Sequence, residues 1–201
     1  NGNGLLRLNR KYVLGNRGSV IELPVDKVIF RSVRFEGQYS PEISQFLSEG
    51  LDNSAVAGRK SALLDIGAQA GLITRQAMSL AKSPHEYFLF EPIPAHLEAI
   101  SRNFADSPAN TPVHIEPFGF GKKNGKALFY TEAVNFGNSS LFQGAMLLPE
   151  HSIETEVELV EPKVYFDNFG SEFASFAIKS DTQGMDAFIL SRIPRRIWER
   201  V

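Results

Sequence analysis

From residue 61 onward, short and nearly all-apolar runs alternate with segments whose apolar residues recur every three or four positions. "SALLDI" (61–66), "EYFLFEP" (86–92) and "ASFAIKSD" (174–181) read as strands buried on both faces of a parallel sheet. "TPVHIEPFGF" (111–120) reads as a third such strand in chain order, and "GKALFYTE" (125–132), after an Asn-Gly turn, as a further extended piece. Between them, "GLITRQAMSLAK" (71–82) has helical spacing and ends before Pro84, and "PAHLEAISRNF" (94–104) puts Leu97, Ile100 and Phe104 on one side. "GMDAFILSRI" (184–193) reads as another helix. This alternation predicts an α/β fold with a doubly wound, mostly parallel sheet over residues 58–201.

Residues 1–57 form a lead-in of short β-like pieces, "KYVLG", "SVIELPV" and "KVIFRSVRF", followed by a turn at "EGQYSPE". Pro41 then opens a helix as its N1 residue, with Ile43, Phe46, Leu47 and Leu51 expected on the buried face.

The 201 residues suffice for one well-packed domain with a short appendage. A net charge of −2 gives no global pull toward nucleic acid or an anionic membrane, so neither is an expected partner. No apolar run reaches the ~18 residues that a membrane-spanning helix needs. With no cysteines, thiolate nucleophiles, disulfides and Cys-ligated zinc drop out; the expected location is cytoplasmic, although export remains open to a cysteine-free chain. The chain does not begin with Met, which suggests a piece of a longer protein.

"LLDIGAQAG" (63–71) carries the first candidate chemistry, with Asp65, Gly67 and Gly71 spaced D-x-G-x-x-x-G at the end of a buried strand. A glycine turn in this place can cradle a phosphate at a helix N-terminus. A carboxylate fixed beside a pyrophosphate would cost roughly 1 kcal/mol or more at contact distance. A cationic ligand without phosphate, such as S-adenosylmethionine, would instead be favoured; a plain strand–helix turn is the alternative. Glu91, 26 residues on, ends the second strand, where an acid can accept hydrogen bonds from ribose hydroxyls or simply be solvated.

Five blocks occur in order: "LLDIGAQAGLITRQA", "FLFEPIPAHLEAISRNF", "VHIEPFGFGKKNGKALFY", "NSSLF" and "FAIKSDTQGMDAFIL". Together they resemble the FkbM-type methyltransferases, class I S-adenosylmethionine-dependent O-methyltransferases of Rossmann-like fold, over roughly residues 25–195. "RFEGQYSPEISQFL" is similar to the lead-in of that group. The resemblance implies that Asp65, Gly67, Ala68, Gln69 and Gly71 line the methionine end of the cofactor. It implies that Glu91, followed by Pro92, holds the ribose and that Gly119 and Phe120 lie near the adenine. Asp181 would stand on the substrate side. The acceptor would be a hydroxyl on a small molecule or glycan. The chain departs from the family pattern at Gln69, where Asn is common, and at "KSDTQGMD", where K-I-D-V-E-G-x-E is common, so that Gln183 replaces a carboxylate. A class I sheet has seven strands and only about four can be placed. The C-terminal strands would then be missing, and the bare edge calls for a longer protein or a covering partner, a homo-oligomer among them.

Methyl transfer to a hydroxyl is helped by a general base. Asp181 is the first candidate, with Lys179 beside it as a second catalytic candidate; the alternative is that Asp181 caps the next helix or pairs with Lys179. His85, His96, His114 and His151 are scattered, with no metal-ligand spacing; His114 is expected in the core and His96 on a surface helix. "SRIPRRIWER" is either a nucleic-acid patch or, the favoured reading, an amphipathic helix with Ile193, Ile197 and Trp198 inward and solvated arginines. The sixteen phenylalanines are assigned mainly to the core, with Phe136 and Phe142 flanking a loop, "GNSSL", that could cover an acceptor. Two other function classes remain: a catalytically silent methyltransferase-like scaffold and a nicotinamide-dependent oxidoreductase.

Overall fold

The computed structural model describes residues 10–14, 19–23, 29–54, 59–132, 135–141 and 152–201. Its centre is a four-stranded, all-parallel sheet made of β3 (Lys60–Ile66), β4 (Glu86–Phe90), β5 (Val113–Glu116) and β10 (Phe173–Ser180), in the order β10-β3-β4-β5. Alternation along each strand divides its side chains between two cores. Ala62, Leu64, Ile66, Phe88 and Phe90 face one core, where α5 (Pro162–Phe166), α6 (Asp186–Arg192) and α7 (Arg195–Trp198) contribute Phe166, Ile189 and Ile197. Leu63, Tyr87, Leu89 and Ala177 face the other, closed by α2 (Pro41–Asn53), α3 (Leu72–Leu80) and α4 (Pro94–Asn103). Helices therefore cover both faces, which is why β3 after Lys60 and all of β4 are buried without interruption.

"TPVHIEPFGF" is not one strand. The chain leaves the parallel sheet after Glu116, bends at Pro117-Phe118, and begins a second sheet with β6 (Gly119–Phe120). That sheet, in the order β6-β9-β7-β8, also contains β7 (Gly125–Glu132), β8 (Asn135–Ser140) and β9 (Ser152–Val160). "GKALFYTE" thus belongs to this mixed sheet, antiparallel to both β8 and β9. The expected loop "GNSSL" is largely β8; Phe142 lies outside the described residues, as does His151, and the side chain of Phe136 is likewise outside them.

The lead-in contributes β1 (Arg10–Leu14) paired with β2 (Ser19–Leu23), as the two β-like pieces there suggest. "KVIFRSVRF" is instead helical, α1 (Ile29–Glu36). The four-residue spacing of Ile29 and Val33 outweighs the alternation around it, because Val33 packs with Ile21, Leu23, Leu72 and Ala99. On α2 the buried face is Ser44, Leu47, Ser48 and Leu51, while Ile43 is exposed and Phe46 is 76% exposed. Ser44 holds that face because α3 offers a polar partner, Gln76 Nε2 donating to Ser44 Oγ (2.9 Å), whereas Ser48 satisfies its hydroxyl within α2 by donating to Gln45 O (2.9 Å). Asn103 fastens the lead-in to α4, accepting from Glu22 N (2.6 Å) and donating to Glu22 O (2.9 Å) and Ala70 O (2.8 Å).

The outer edge of β10 is not wholly bare, since the Phe176 amide donates to Arg200 O (2.7 Å). The arginines nearby are not simply solvated. Arg196 donates to Phe166 O, Phe169 O and Asp167 O, and Arg200 to Gly170 O and Phe173 O. Ile193 and Ile197 are buried as expected, but Trp198 is 40% exposed, its indole N–H donating to Leu190 O. Apart from the exposed Phe35 and Phe46, most of the described phenylalanines gather in the core, where Phe90, Phe120, Phe166, Phe169 and Phe173 form with Tyr165 a chain of mostly tilted and edge-on rings. No helix among the described residues is long and apolar enough to cross a membrane.

Candidate functional site

The C-terminal ends of β3, β4 and β10 open into a cleft of about 360 Å³. This is where a parallel α/β sheet presents ligands, because strand ends and the loops after them converge there. Its floor is the turn after β3. Gly67 and Ala68 both direct their amides at Phe90 O (3.0 and 3.1 Å), Gly71 N donates to Ala68 O (2.7 Å), and Gln69 N donates to Glu91 Oε2 (2.8 Å). Four amides that a phosphate could have used are therefore engaged within the protein. The turn itself is a pinned floor whose own amides are already taken.

Two of the glycines are required for different reasons. Gly67 has φ +78°, and a Cβ there would lie 2.2 Å from Asp181 O, so the turn and the tip of β10 touch backbone to backbone. Gly71, with φ +75°, does not reach the cleft; a Cβ there would meet the Phe104 ring at 2.5 Å. Gln69 sits at φ +53°, in the left-handed region that a long side chain occupies at a cost and that Asn tolerates better. Gln69→Asn is accordingly expected to raise stability by about 0.5–1 kcal/mol, read as a higher urea midpoint at unchanged slope. A midpoint at or below that of the parent protein would show that Gln69 makes compensating contacts.

Asp65 lies behind the floor, not at the mouth of the cleft. It shares the face of β3 that carries Leu63, so it points at α3, where it is 1% exposed and accepts from Thr74 Oγ1 (2.6 Å). Its other oxygen lies 3.0 Å from Lys179 Nζ, an ion pair between residues directly opposite on β3 and β10. Lys179 lines the cleft and also donates to Gly67 O (2.7 Å), so one ammonium ties β10, the buried acid and the turn together.

Glu91 does line the cleft, and its carboxylate is fixed by three donors. Oε2 takes Gln69 N, while Oε1 takes Ile93 N (2.9 Å) and faces His96 Nδ1 (3.2 Å). His96 is thus a buried residue of α4 rather than a surface one, and its Nε2 has no hydrogen-bond partner among the described residues. His114, expected in the core, is half-exposed, stacked on Phe88 at 4.3 Å and bonded to Glu86 Oε2 (3.0 Å).

Pro92, Gly119 and Phe120 form the wall beside Glu91. A Cβ at Gly119 would stand 3.1 Å from Leu159 Cδ2 and 3.3 Å from Pro92 Cγ, which leaves room for little beyond hydrogen there. Across the cleft, Asp181 is exposed. Its amide donates to Ile66 O (3.0 Å) and its Oδ1 accepts from Gln183 Nε2 (3.0 Å). Neither alternative considered for Asp181 is seen: α6 has no side-chain cap, and Lys179 pairs with Asp65 instead, while Asp186 at the start of α6 ties down the preceding loop by accepting from Ser180 Oγ, Thr182 N and Thr182 Oγ1. Burial alone would raise the Asp186 carboxyl, but those hydrogen bonds hold it below its ordinary value. Gln183, where the family pattern has a carboxylate, adopts φ +54° and accepts from Ser140 Oγ through its backbone.

Sequence reasoning missed the part played by the lead-in. Tyr39, Ser40 and Ile43 line the cleft, held there because Gln76 bonds both the amide and the carbonyl of Tyr39 (2.8 and 2.7 Å). All three fall within "RFEGQYSPEISQFL", so the resemblance had already marked the segment without giving it a role. Phe129, Leu141 and Met185 complete the wall, and nothing local in the sequence signals them. No family model matches the chain, and neither a curated protein nor a solved structure is significantly similar to it.

Proposed function

We propose that the protein is an S-adenosylmethionine-dependent methyltransferase of Rossmann-like class I architecture, acting on a hydroxyl of a small molecule or glycan. The observation that carries this reading is Glu91, a carboxylate held rigidly by three donors at the tip of β4, on the wall of a cleft whose Gly67, Ala68 and Gln69 amides are already engaged within the protein. Glu91 and Asp181 face the cleft, and the charge of Lys179 is met by Asp65 behind it, so the cavity is anionic. An anionic cavity favours a cationic ligand and disfavours a dinucleotide pyrophosphate, which weakens the oxidoreductase alternative.

The residues fit the cofactor's chemistry in outline. Glu91 offers a carboxylate edge to a ribose diol, Pro92 and Phe120 supply apolar surface for a flat ring, and the Gly67–Gln69 floor lets backbone approach the amino-acid end. When bound, the cofactor supplies a methyl group on a sulfonium, transferred by in-line displacement. Asp181 then has the role of base. Gln183 fixes its Oδ1, leaving Oδ2 to take the acceptor's proton. Lys179 positions Gly67 and the β10 tip rather than touching the reacting atoms.

Calorimetric titration with S-adenosylhomocysteine tests the reading. Micromolar affinity is expected, with Glu91→Gln weakening it roughly 30-fold or more, as loss of a charged hydrogen-bond acceptor implies. Folded parent protein that binds NAD(H) but not S-adenosylhomocysteine, or neither, would overturn it.

A further inference from the structure

A second hollow adjoins the cleft. Lys122, Lys123 and Lys126, three lysines within five residues, line it together with Leu141, Leu159 and Met185. Its volume is about 250 Å³, and Leu141 and Met185 line it and the main cleft alike. The segment that carries the lysines is fixed at both ends: Gly121 N donates to Val160 O (3.0 Å), and Glu161 N donates to Asn124 Oδ1 (2.7 Å). Lys126 is paired with Glu156, whereas neither Lys122 nor Lys123 has an acidic partner among the described residues. A cluster of like charges is unfavourable by itself and is relieved by an anion. On a chain of net charge −2, and next to a cleft walled by Glu91 and Asp181, this basic rim marks a change of sign.

The cleft itself is near the lower end of small-molecule sites, which leaves an acceptor needing space beyond that of the cofactor. We infer that the hollow is the acceptor subsite, and that the acceptor is a hydroxylated molecule with an anionic group, held by Lys122 and Lys123, and an apolar body against Leu141, Leu159 and Met185. The inference rests on the methyltransferase reading for which end of the molecule reacts. The anion would be anchored on the rim and the hydroxyl directed past Met185 toward Asp181. Electrostatic attraction to the lysines also draws the acceptor away from the anionic wall that suits the cationic donor, so that the two ligands sort themselves by charge.

The test uses two matched pairs of probes: 4-hydroxybenzoate against 4-hydroxybenzyl alcohol, and glucuronate against glucose. Each is titrated calorimetrically into the whole protein, with and without S-adenosylhomocysteine. An anionic probe is expected to bind roughly tenfold tighter than its neutral partner, as two exposed charge contacts allow, and to lose that advantage at about 0.5 M salt. Preference confined to the aromatic pair identifies an aromatic acid as the acceptor type; preference confined to the sugar pair identifies an acidic sugar, and either supports the inference. In Lys122→Gln/Lys123→Gln the advantage should vanish while affinity for S-adenosylhomocysteine stays at the parent value. Equal binding within both pairs, no binding of any probe, or a preference that survives the double substitution would overturn it. Parent protein that binds no S-adenosylhomocysteine yet keeps the lysine-dependent preference would instead sink the methyl-donor reading and leave the anion site standing.

Discussion

Replacing Lys179 with Met is expected to destabilise the protein by about 3–5 kcal/mol, because it strands a buried charge. Asp65 is 1% exposed, with Thr74 Oγ1 on one oxygen and, among the described residues, the Lys179 ammonium as the counter-charge 3.0 Å from the other. Met keeps most of the apolar stem of Lys179 and removes only the charge, so lost packing contributes little. The same substitution takes away the donor to Gly67 O. Urea unfolding reads the loss directly. Adding Asp65→Asn to Lys179→Met should recover a large part of it, since a neutral amide no longer needs a counter-charge. If the single variant loses less than about 1 kcal/mol, the pair is solvated enough to act as a surface contact, and the positioning role of Lys179 fails with it.

Gly67→Ala should come second in size and differ in kind. The new Cβ would stand 2.2 Å from Asp181 O and 3.0 Å from its carbonyl carbon, on a residue at φ +78°. Neither neighbour is a flexible side-chain end, so the β3 turn and the β10 tip must separate. A loss of about 2–4 kcal/mol is expected from strain and overpacking. Gly125→Ala provides the comparison: at φ +133° with nothing within 4 Å of a Cβ, it reports conformational cost without the clash. Affinity for S-adenosylhomocysteine should fall in Gly67→Ala and not in Gly125→Ala. Equal thermal shifts in the two variants would mean that the strand tips part easily, against the bond from Asp181 N to Ile66 O.

Much of the fold could be read from apolar runs, because strands covered by helices on both faces leave short, mostly apolar stretches in β3, β4 and β10. The parity of those strands also held information that the loop motif obscured. Asp65 has the parity of Leu63 and must point where Leu63 points, into the α3 side. Its charge therefore serves the interior, and Glu91, placed just beyond a strand where parity no longer applies, is the acid that reaches the cleft. The alternating segment "SIETEVELV" forms β9, with its glutamates outward and Val157 and Leu159 inward. Two errors share one cause. The lead-in helix α1 and the burial of Ser44 on α2 are decided by what α3 and α4 present to them, which no local window contains. The break at Pro117-Phe118 is of another sort: "TPVHIEPFGF" reads as continuous, yet Pro117 supplies no amide and the chain changes sheets beside it.

The neighbour relation between β3 and β10 also sets the order in which the site can come into being. Their residues face each other in register, Asp65 opposite Lys179, although more than a hundred positions separate them along the chain. Closing a loop of that length costs entropy before any contact repays it, which makes such pairings late events in folding. During synthesis β3, α3 and β4 emerge well before β10, so Asp65 must wait without its counter-ion and the Gly67 turn without its clamp. The neutralised interior and the charged cleft are therefore completed in a single late step, the docking of β10.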